Sequence, residues 1–145
     1  MADEERLIDP WGSAQSTDYD RIIERFGLSS MEGVALDAPS KLHRRGIVFA
    51  HRDIDQILEA QRTGSSFGVL TGLMPSGQMH LGHSMVVEQA RWFQQQGGDV
   101  TIAVADLESQ ATRGVSLETG RRVALEEYIA HYAALGLKPD RTNVY

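Results

Sequence analysis

The sequence predicts an α/β chain, a helical leader followed by a parallel-sheet nucleotide-binding domain. Three observations carry that prediction. Two short apolar runs, Phe67–Leu70 and Val100–Ala105, have strand length and no strict polar alternation, the pattern of a strand covered on both faces. Between them Ser84–Gln96 shows helical spacing, so strand, helix and strand form a βαβ unit with an expected right-handed crossover. Turn residues Gly72, Pro75, Ser76 and Gly77 fill the first junction, where Pro fixes φ and Gly permits positive φ.

Taken in order, residues 1 to about 16 are polar and broken by Pro10, Gly12 and Ser13, which predicts a mobile or surface-draped start. Asp18–Phe26 follows as a short helix with Tyr19, Ile22, Ile23 and Phe26 on one face and Gly27 as its stop. A weaker element over Met31–Leu36 ends at Pro39. Lys41, Arg44 and Arg45 make a compact basic cluster, with His43 inside it and Arg52 further on. That cluster reads either as a solvated surface turn or as a set of cations for phosphates. Asp53–Gln61 is a helix with an Ile54, Ile57 and Leu58 stripe, and Asp53 stands where an N-cap accepts from first-turn amides. Gly64-Ser65-Ser66 marks the boundary between a leader of residues 1–64 and a domain of residues 65–145.

In that domain His80-Leu81-Gly82-His83 stands directly before the helix. A strand, a glycine-bearing loop and a helix start make an anion site, because free N–H groups and the helix dipole point at one spot. Two imidazoles there donate to phosphate oxygens without permanent charge, and Gly82 leaves room for a planar group such as a purine. Along the helix Val86, Ala90 and Phe93 form the packing face, with Met85 and Trp92 beside it and Gly97-Gly98 as the stop. After the second strand, Ser116 caps the next helix with Glu118 in its first turn; Ala124, Tyr128, Tyr132 and Leu135 mark its buried side, and Gly136 with Pro139 closes it. Asn143–Tyr145 begins a third strand, and so small a sheet predicts an exposed edge or face. Ligands in such sheets sit beyond the carboxyl ends of the strands, which places Thr71–Met74 and Ala105–Glu108 around one crevice. Asp106 and Glu108 are there either as local caps or as acceptors for N–H donors of a ligand.

Composition bounds the function. The 145 residues fit one domain, and 41% apolar content supplies a core. No cysteine is present, which excludes disulfides and thiolate metal sites and fits a cytoplasmic protein. No apolar stretch approaches a membrane span, and the acidic start Met1–Arg6 is unlike a signal peptide. A net charge of -6 argues against a generic nucleic-acid coat while leaving room for a local basic patch. Of the five histidines, His43, His51 and His131 read as surface or structural. His80 and His83 lack a third ligand at familiar spacing, so no metal site is expected.

Pro75-Ser76-Gly77 followed by His80-Leu81-Gly82-His83 at a strand-to-helix junction resembles the HIGH signature of class I aminoacyl-tRNA synthetases. The stretches Asp9-Pro10-Trp11-Gly12, Asp18-Tyr19-Asp20, Phe26-Gly27 and Arg45–Asp53 are similar to the leader of archaeal-type tryptophanyl-tRNA synthetases, nearly end to end. That resemblance implies a Rossmann-like class I domain, with residues 65–145 as its first half. It implies ATP-dependent activation of tryptophan to the adenylate, with Mg²⁺, then transfer to tRNA(Trp), and a homodimeric enzyme. In the family two histidines and a glycine hold ATP and stabilise the charge on the α-phosphate, which makes His80 and His83 the catalytic groups. ATP would lie against Gly72, Leu73, Met74, Pro75, Ser76, His80, Gly82 and His83. The amino acid would lie against Leu70, Thr71, Gly72, Ala103, Asp106 and Glu108, with Glu108 where a glutamate contacts the indole nitrogen. Lys41, Arg44 and Arg45 would meet the tRNA acceptor arm.

The chain departs from the human-like branch at two places: Leu70 replaces a tyrosine before the Thr-Gly, and Ala103 replaces a glutamine. Tyrosyl-tRNA synthetase, the sister enzyme, is therefore the alternative. The family's lysine-rich KMSKS loop and anticodon-binding helices belong beyond residue 145, so the expectation is an amino-terminal portion of a synthetase. A non-catalytic truncated paralogue that only binds nucleotide or a partner is the second alternative. A HIGH-type nucleotidyltransferase acting on pantetheine phosphate or a related molecule is the third.

Overall fold

The computed structural model describes residues 19–145, so the expectations for the start of the chain, Asp9-Pro10-Trp11-Gly12 included, lie outside the described residues. Helix α1 (Tyr19–Phe26) stops where Gly27 takes φ +59° and the Leu28 amide reaches back to the Ile23 carbonyl at 2.9 Å. No helix or strand forms over Met31–Leu36. Gly33 takes φ +80° inside it, which breaks any regular repeat, and the Val34 amide closes a turn on Met31. The ordered piece lies just before it, where β1 (Ser29–Ser30) pairs antiparallel with β2 (Ala50–His51).

Helix α2 (Lys41–Arg44) turns the basic cluster into a capped helical turn that buries Leu42. Helix α3 (Ile54–Thr63) buries Ile54 and ends at Gly64, φ +68°. Its cap differs from expectation. Asp53 takes φ 59° and makes no capping bond, because an N-cap needs extended backbone; His51 Nδ1 accepts the Ile54 amide at 3.3 Å instead.

Strands β3 (Gly68–Leu73), β4 (Asp99–Val104) and β5 (Thr142–Val144) form a parallel sheet in that order, with β4 central. Gly72 is the fifth residue of β3 rather than part of the turn, and it pairs with Ala103. One face of the sheet holds the core: Leu73, Val87, Ala90, Val100, Ile102, Tyr128, Tyr132 and Leu137. The other is open at Leu70, which is 69% exposed. The expectation of strands covered on both faces therefore fails among the described residues, while the expected exposed face is present.

Helix α4 (Leu81–Gln95) begins earlier than the apolar pattern indicates, and its buried stripe is Val87, Ala90 and Gln94 rather than Val86, Ala90 and Phe93. The polar Gln94 conceals that stripe in the sequence. Its amide donates to the Lys138 and Arg141 carbonyls and the Thr142 hydroxyl, and accepts from the Lys138 amide. Trp92, also buried, faces the leader: Nε1–H donates to the Ala38 carbonyl at 2.6 Å, and its ring stands 4.5 Å from His43. Lys41 pairs with Glu88 at 2.7 Å on the same side.

After β4 comes α5 (Asp106–Arg113), which hydropathy did not reveal because its sequence DLESQATR has no apolar stripe. Then α6 (Leu117–Val123), capped by Ser116 through the Thr119 amide, runs through a π-helical turn (Ala124–Tyr128) into α7 (Ile129–Ala134). Ala124, Tyr128 and Tyr132 are buried as expected, and Gly136, φ +90°, ends the helix.

Candidate nucleotide-binding site

The site is built where β3 hands over to α4. After Leu73 the chain crosses a short loop, in which the Ser76 amide closes on the Met74 carbonyl at 2.8 Å, and reaches His80. His80 has the extended backbone of an N-cap, φ -133° and ψ 177°. Its Nδ1 accepts the Gly82 amide at 3.2 Å, and His83 Nδ1 accepts the His80 amide at 3.2 Å. The two imidazoles thus form a reciprocal capping box, a job more often done by serine and glutamate.

That box fixes chemistry. A ring nitrogen that accepts an amide carries a lone pair, so each neutral ring holds its proton on Nε2. The first-turn amides of His80 and Gly82 are consumed by the rings, so the expected set of free backbone N–H groups is replaced by two imidazole Nε2–H donors. The rings lie 4.0 Å apart, and burial followed by the neighbouring His80 charge pulls the His83 pKa below its ordinary 6.5. Neutrality is thereby favoured. Gly82 has a local reason as well: a Cβ there would stand 3.0 Å from His80 Cε1 and 3.1 Å from Nδ1. Any side chain would push the His80 ring off its amide.

The loop is held from beneath by groups the sequence did not single out for this purpose. The Tyr128 hydroxyl lies 3.0 Å from the Met74 carbonyl and 3.1 Å from that of Gly77, and Ser109 Oγ reaches the Pro75 carbonyl at 3.4 Å. Tyr128 and Ser109 are both 0% exposed. Sequence periodicity marks Tyr128 only as core; nothing in a linear pattern says which loop its oxygen meets.

The amino-acid group is brought to the same strand ends but divided between faces. Gly72 and Ala103 are register partners and lie, with Leu70, on the open face; Thr71 pairs with the buried Ile102 on the core side. Asp106 is the first residue of α5, and its Oδ1 accepts the Leu107 amide at 2.7 Å; the cap position is Ala105, with no side-chain capping bond. Glu108 is exposed one turn into α5, and Thr112 of that helix reaches Met74 Sδ at 3.7 Å. The residues expected to surround one ligand therefore run from the histidine pair, past Met74, to the start of α5.

Lys41, Arg44 and Arg45 are not among these residues. Lys41 and Arg44 stand on α2 against α4, beside a cavity of about 310 Å³ lined by Lys41, Arg44, Glu88, Arg91 and Trp92, and Arg45 is the C-cap of α2. The helix rises about 12 Å between His80 and Glu88. His43 and His51 serve as caps, and His131 Nδ1 lies 2.6 Å from the Glu127 carbonyl, as expected for structural histidines.

The family model described as tRNA synthetases class I (W and Y) matches residues 62–145. The chain is similar to the tryptophan–tRNA ligase of Methanosarcina acetivorans, 46% identical over 135 residues, covering 92% of this chain and 31% of the relative. It is likewise similar to that of Thermoplasma acidophilum, 48% identical over 133 residues, with 92% and 30% covered. In structure it matches the crystal structure of tryptophanyl-tRNA synthetase from Aeropyrum pernix with a TM-score of 0.81 at 46% identity, covering 95% of this chain and 39% of that one. The Plasmodium falciparum enzyme gives 0.80 at 27% identity, with 88% and 38% covered. The chain spans about a third of the length of the curated relatives it matches.

Proposed function

Because the chain belongs to the class I aminoacyl-tRNA synthetases of the tryptophan and tyrosine group, we propose that residues 67–108 form the ATP- and amino-acid-activating site of a tryptophan–tRNA ligase. The observation that carries the reading is the histidine capping box at the end of β3, in which both Nδ1 atoms accept backbone amides and the outer Nε2 atoms are left for a ligand. Tryptophan is preferred to tyrosine because the similar ligases from Methanosarcina and Thermoplasma are both named for tryptophan.

In this reading ATP arrives as its Mg²⁺ complex. The tryptophan carboxylate attacks the α-phosphorus, the bond to the β-phosphate oxygen breaks, and pyrophosphate leaves. Negative charge on the pentavalent α-phosphate is met by His80 and His83, whose positions are set before substrate arrives, so little reorganisation is needed at the transition state. Gly72–Ser76 lines the nucleotide, and Gly82 takes the adenine against the backbone. Leu70, Thr71, Gly72, Ala103, Asp106 and Glu108 take the amino acid, with Glu108, exposed in the first turn of α5, accepting the indole N–H. No step calls for a nucleophilic side chain.

The second step, transfer to the terminal ribose of tRNA(Trp), needs phosphate contacts. Lys41, Arg44 and Arg45 are offered for that role, supported by the cavity that Lys41 and Arg44 share with Arg91 and by the place of Arg45 next to Arg44 in the chain. A homodimer is supported by the exposed Leu107, Leu117, Leu125 and Ile129 of α5–α7, which a second copy would cover.

The deciding experiment is ATP–pyrophosphate exchange with tryptophan or tyrosine, on this chain and its His80→Ala/His83→Ala variant. Exchange with tryptophan alone, lost in the variant, supports the reading. Exchange with tyrosine alone overturns the choice of substrate. A folded chain that catalyses neither overturns catalysis by these residues on their own.

A further inference from the structure

The helix following α5 touches the nucleotide loop twice. In its first half Gly120 is packed so that an added Cβ would meet Pro75 Cγ at 3.5 Å. In its second half the Tyr128 hydroxyl meets the Met74 and Gly77 carbonyls. A regular α-helix advances about 100° per residue, so Gly120 and Tyr128 would point about 80° apart. The π turn at Ala124–Tyr128 accommodates one extra residue, which brings them to within about 20° of the same direction. The wide turn is what allows both halves to face one loop.

We propose that Tyr128 is a positioning residue for the adenylate-forming site. Aimed by the π turn, it clamps the loop 74–77 through its hydroxyl and supports His83 through its ring. One phenolic proton serves two carbonyls, and the ring centroid lies 5.9 Å from that of His83. Since the loop leads directly into His80, its placement sets where the imidazole donors stand relative to the end of β3. Pro75, buried under the same helix, leaves the loop little freedom except through this clamp. The proposal rests on reading residues 74–83 as the nucleotide site.

Tyr132 supplies a matched control. It is 3% exposed, packs edge-on to Tyr128 at 6.3 Å, and its buried hydroxyl has no hydrogen-bond partner among the described residues. Tyr128→Phe and Tyr132→Phe therefore remove the same atom from neighbouring turns of one helix, and only the first removes hydrogen bonds to the loop.

The test measures two things on the whole chain: the ring ¹⁵N spectra of His80 and His83, which report the tautomer, and the ATP KM in pyrophosphate exchange. Y128F is expected to raise the ATP KM about three- to tenfold, the size of one or two lost hydrogen bonds, with a smaller change in kcat. It should also turn the single Nε2–H tautomer of His83 into a mixture. Y132F should move neither. Ring spectra and ATP KM unchanged in Y128F, whatever its melting temperature, would overturn the proposal, as would equal changes in Y132F. If the parent chain catalyses no exchange, catalysis by these residues on their own is overturned, and the ring spectra alone decide the clamp. Should Y128F not fold, insertion of one alanine after the exposed Glu126, which turns Tyr128 by about 100° relative to Gly120, is the second variant. A folded insertion variant with unaltered ring spectra would also overturn it.

Discussion

Two helices in this chain start with the same device. At α2 Ser40 accepts first-turn amides while His43 Nδ1 accepts the Ser40 amide at 3.2 Å; at α4 His80 and His83 do the same at 3.2 Å. In both, a histidine at the third helical position reaches back to the cap. The difference lies in what the ring meets on its other side. His43 lies 4.5 Å from the ring of buried Trp92, and burial lowers its pKa. The His83 ring lies between His80 and Tyr128, at the open end of a parallel strand. One box closes a junction between leader and α4; the other leaves His80 exposed and His83 half-buried. A capping box by itself is silent about function, and exposure at a strand end is what separates the two.

Removing the rings should separate the two boxes most strongly. His80→Ala/His83→Ala should lower exchange at least about 100-fold, since one donor to a developing oxyanion is typically worth that much. His43→Ala should leave the exchange rate nearly unchanged and cost about 1–2 kcal/mol of stability through the lost cap and packing on Trp92. Thermal unfolding beside exchange separates the two outcomes. Equal loss of exchange in both would show that the boxes do one job.

Gly82→Ala is the next test. Alanine is the better helix former by about 1 kcal/mol, so the melting temperature should hold or rise. The Cβ would nevertheless crowd His80 Cε1 at 3.0 Å and turn the ring off the Gly82 amide. Exchange should fall about tenfold in a chain no less stable, a split that core damage does not produce. Gly98→Ala is the counterpart away from the site. Its Cβ would come within 2.5 Å of the Phe67 ring, so stability should fall by about 1–3 kcal/mol with no specific loss for ATP.

Acid should loosen both boxes. His43 and His83 have folded pKa values below the ordinary 6.5, so the unfolded chain binds more protons as the pH falls past that value. Stability contributed by the neutral rings is complete above pH 6.5 and is lost as the pH drops through their folded pKa values. An imidazolium Nδ1–H has no lone pair for an amide, so each box opens when its ring charges. Melting temperature measured from pH 8 to pH 5 should decline, and the His43→Ala variant should decline less. Parallel curves for the two proteins would show that His43 takes no part.

Much of this was legible in the sequence, and the failures have physical causes. The βαβ unit, the Ser116 cap and the buried side of Ala124, Tyr128 and Tyr132 followed from periodicity and capping residues. The histidine pair followed from its place between a strand and a helix. The α4 stripe was assigned one residue out of phase because Gln94, buried and fully bonded, reads as surface on any hydropathy scale. Asp53 lost its cap to His51 because a left-handed φ is invisible in composition. The π turn leaves no local signature, and the Tyr128 oxygen finds Met74 and Gly77 across more than fifty residues of chain. Local chemistry reads well from sequence, but contacts made at long range do not.

The smallest effect concerns the basic cluster beside the first box. Lys41 pairs with Glu88 at 2.7 Å, and Arg44 donates to the Pro39 carbonyl at 2.5 Å; Arg45 has no side-chain partner among the described residues. If the cluster only docks the leader, Lys41→Ala should cost at most about 1 kcal/mol, less in high salt, and Arg45→Ala nothing measurable. If it meets tRNA phosphates, the order reverses for RNA affinity. Arg45 is then the cation free to release counterions on binding, and Arg45→Ala should reduce the slope of log K against log salt by about one unit. Lys41, already neutralised by a carboxylate that is only 13% exposed, should change that slope less. Filter binding of tRNA(Trp) from about 50 to 200 mM salt resolves the pair. A larger slope change in Lys41→Ala than in Arg45→Ala would mean that Glu88 releases its lysine to the RNA. The first box would then be part of the binding surface rather than a closed junction.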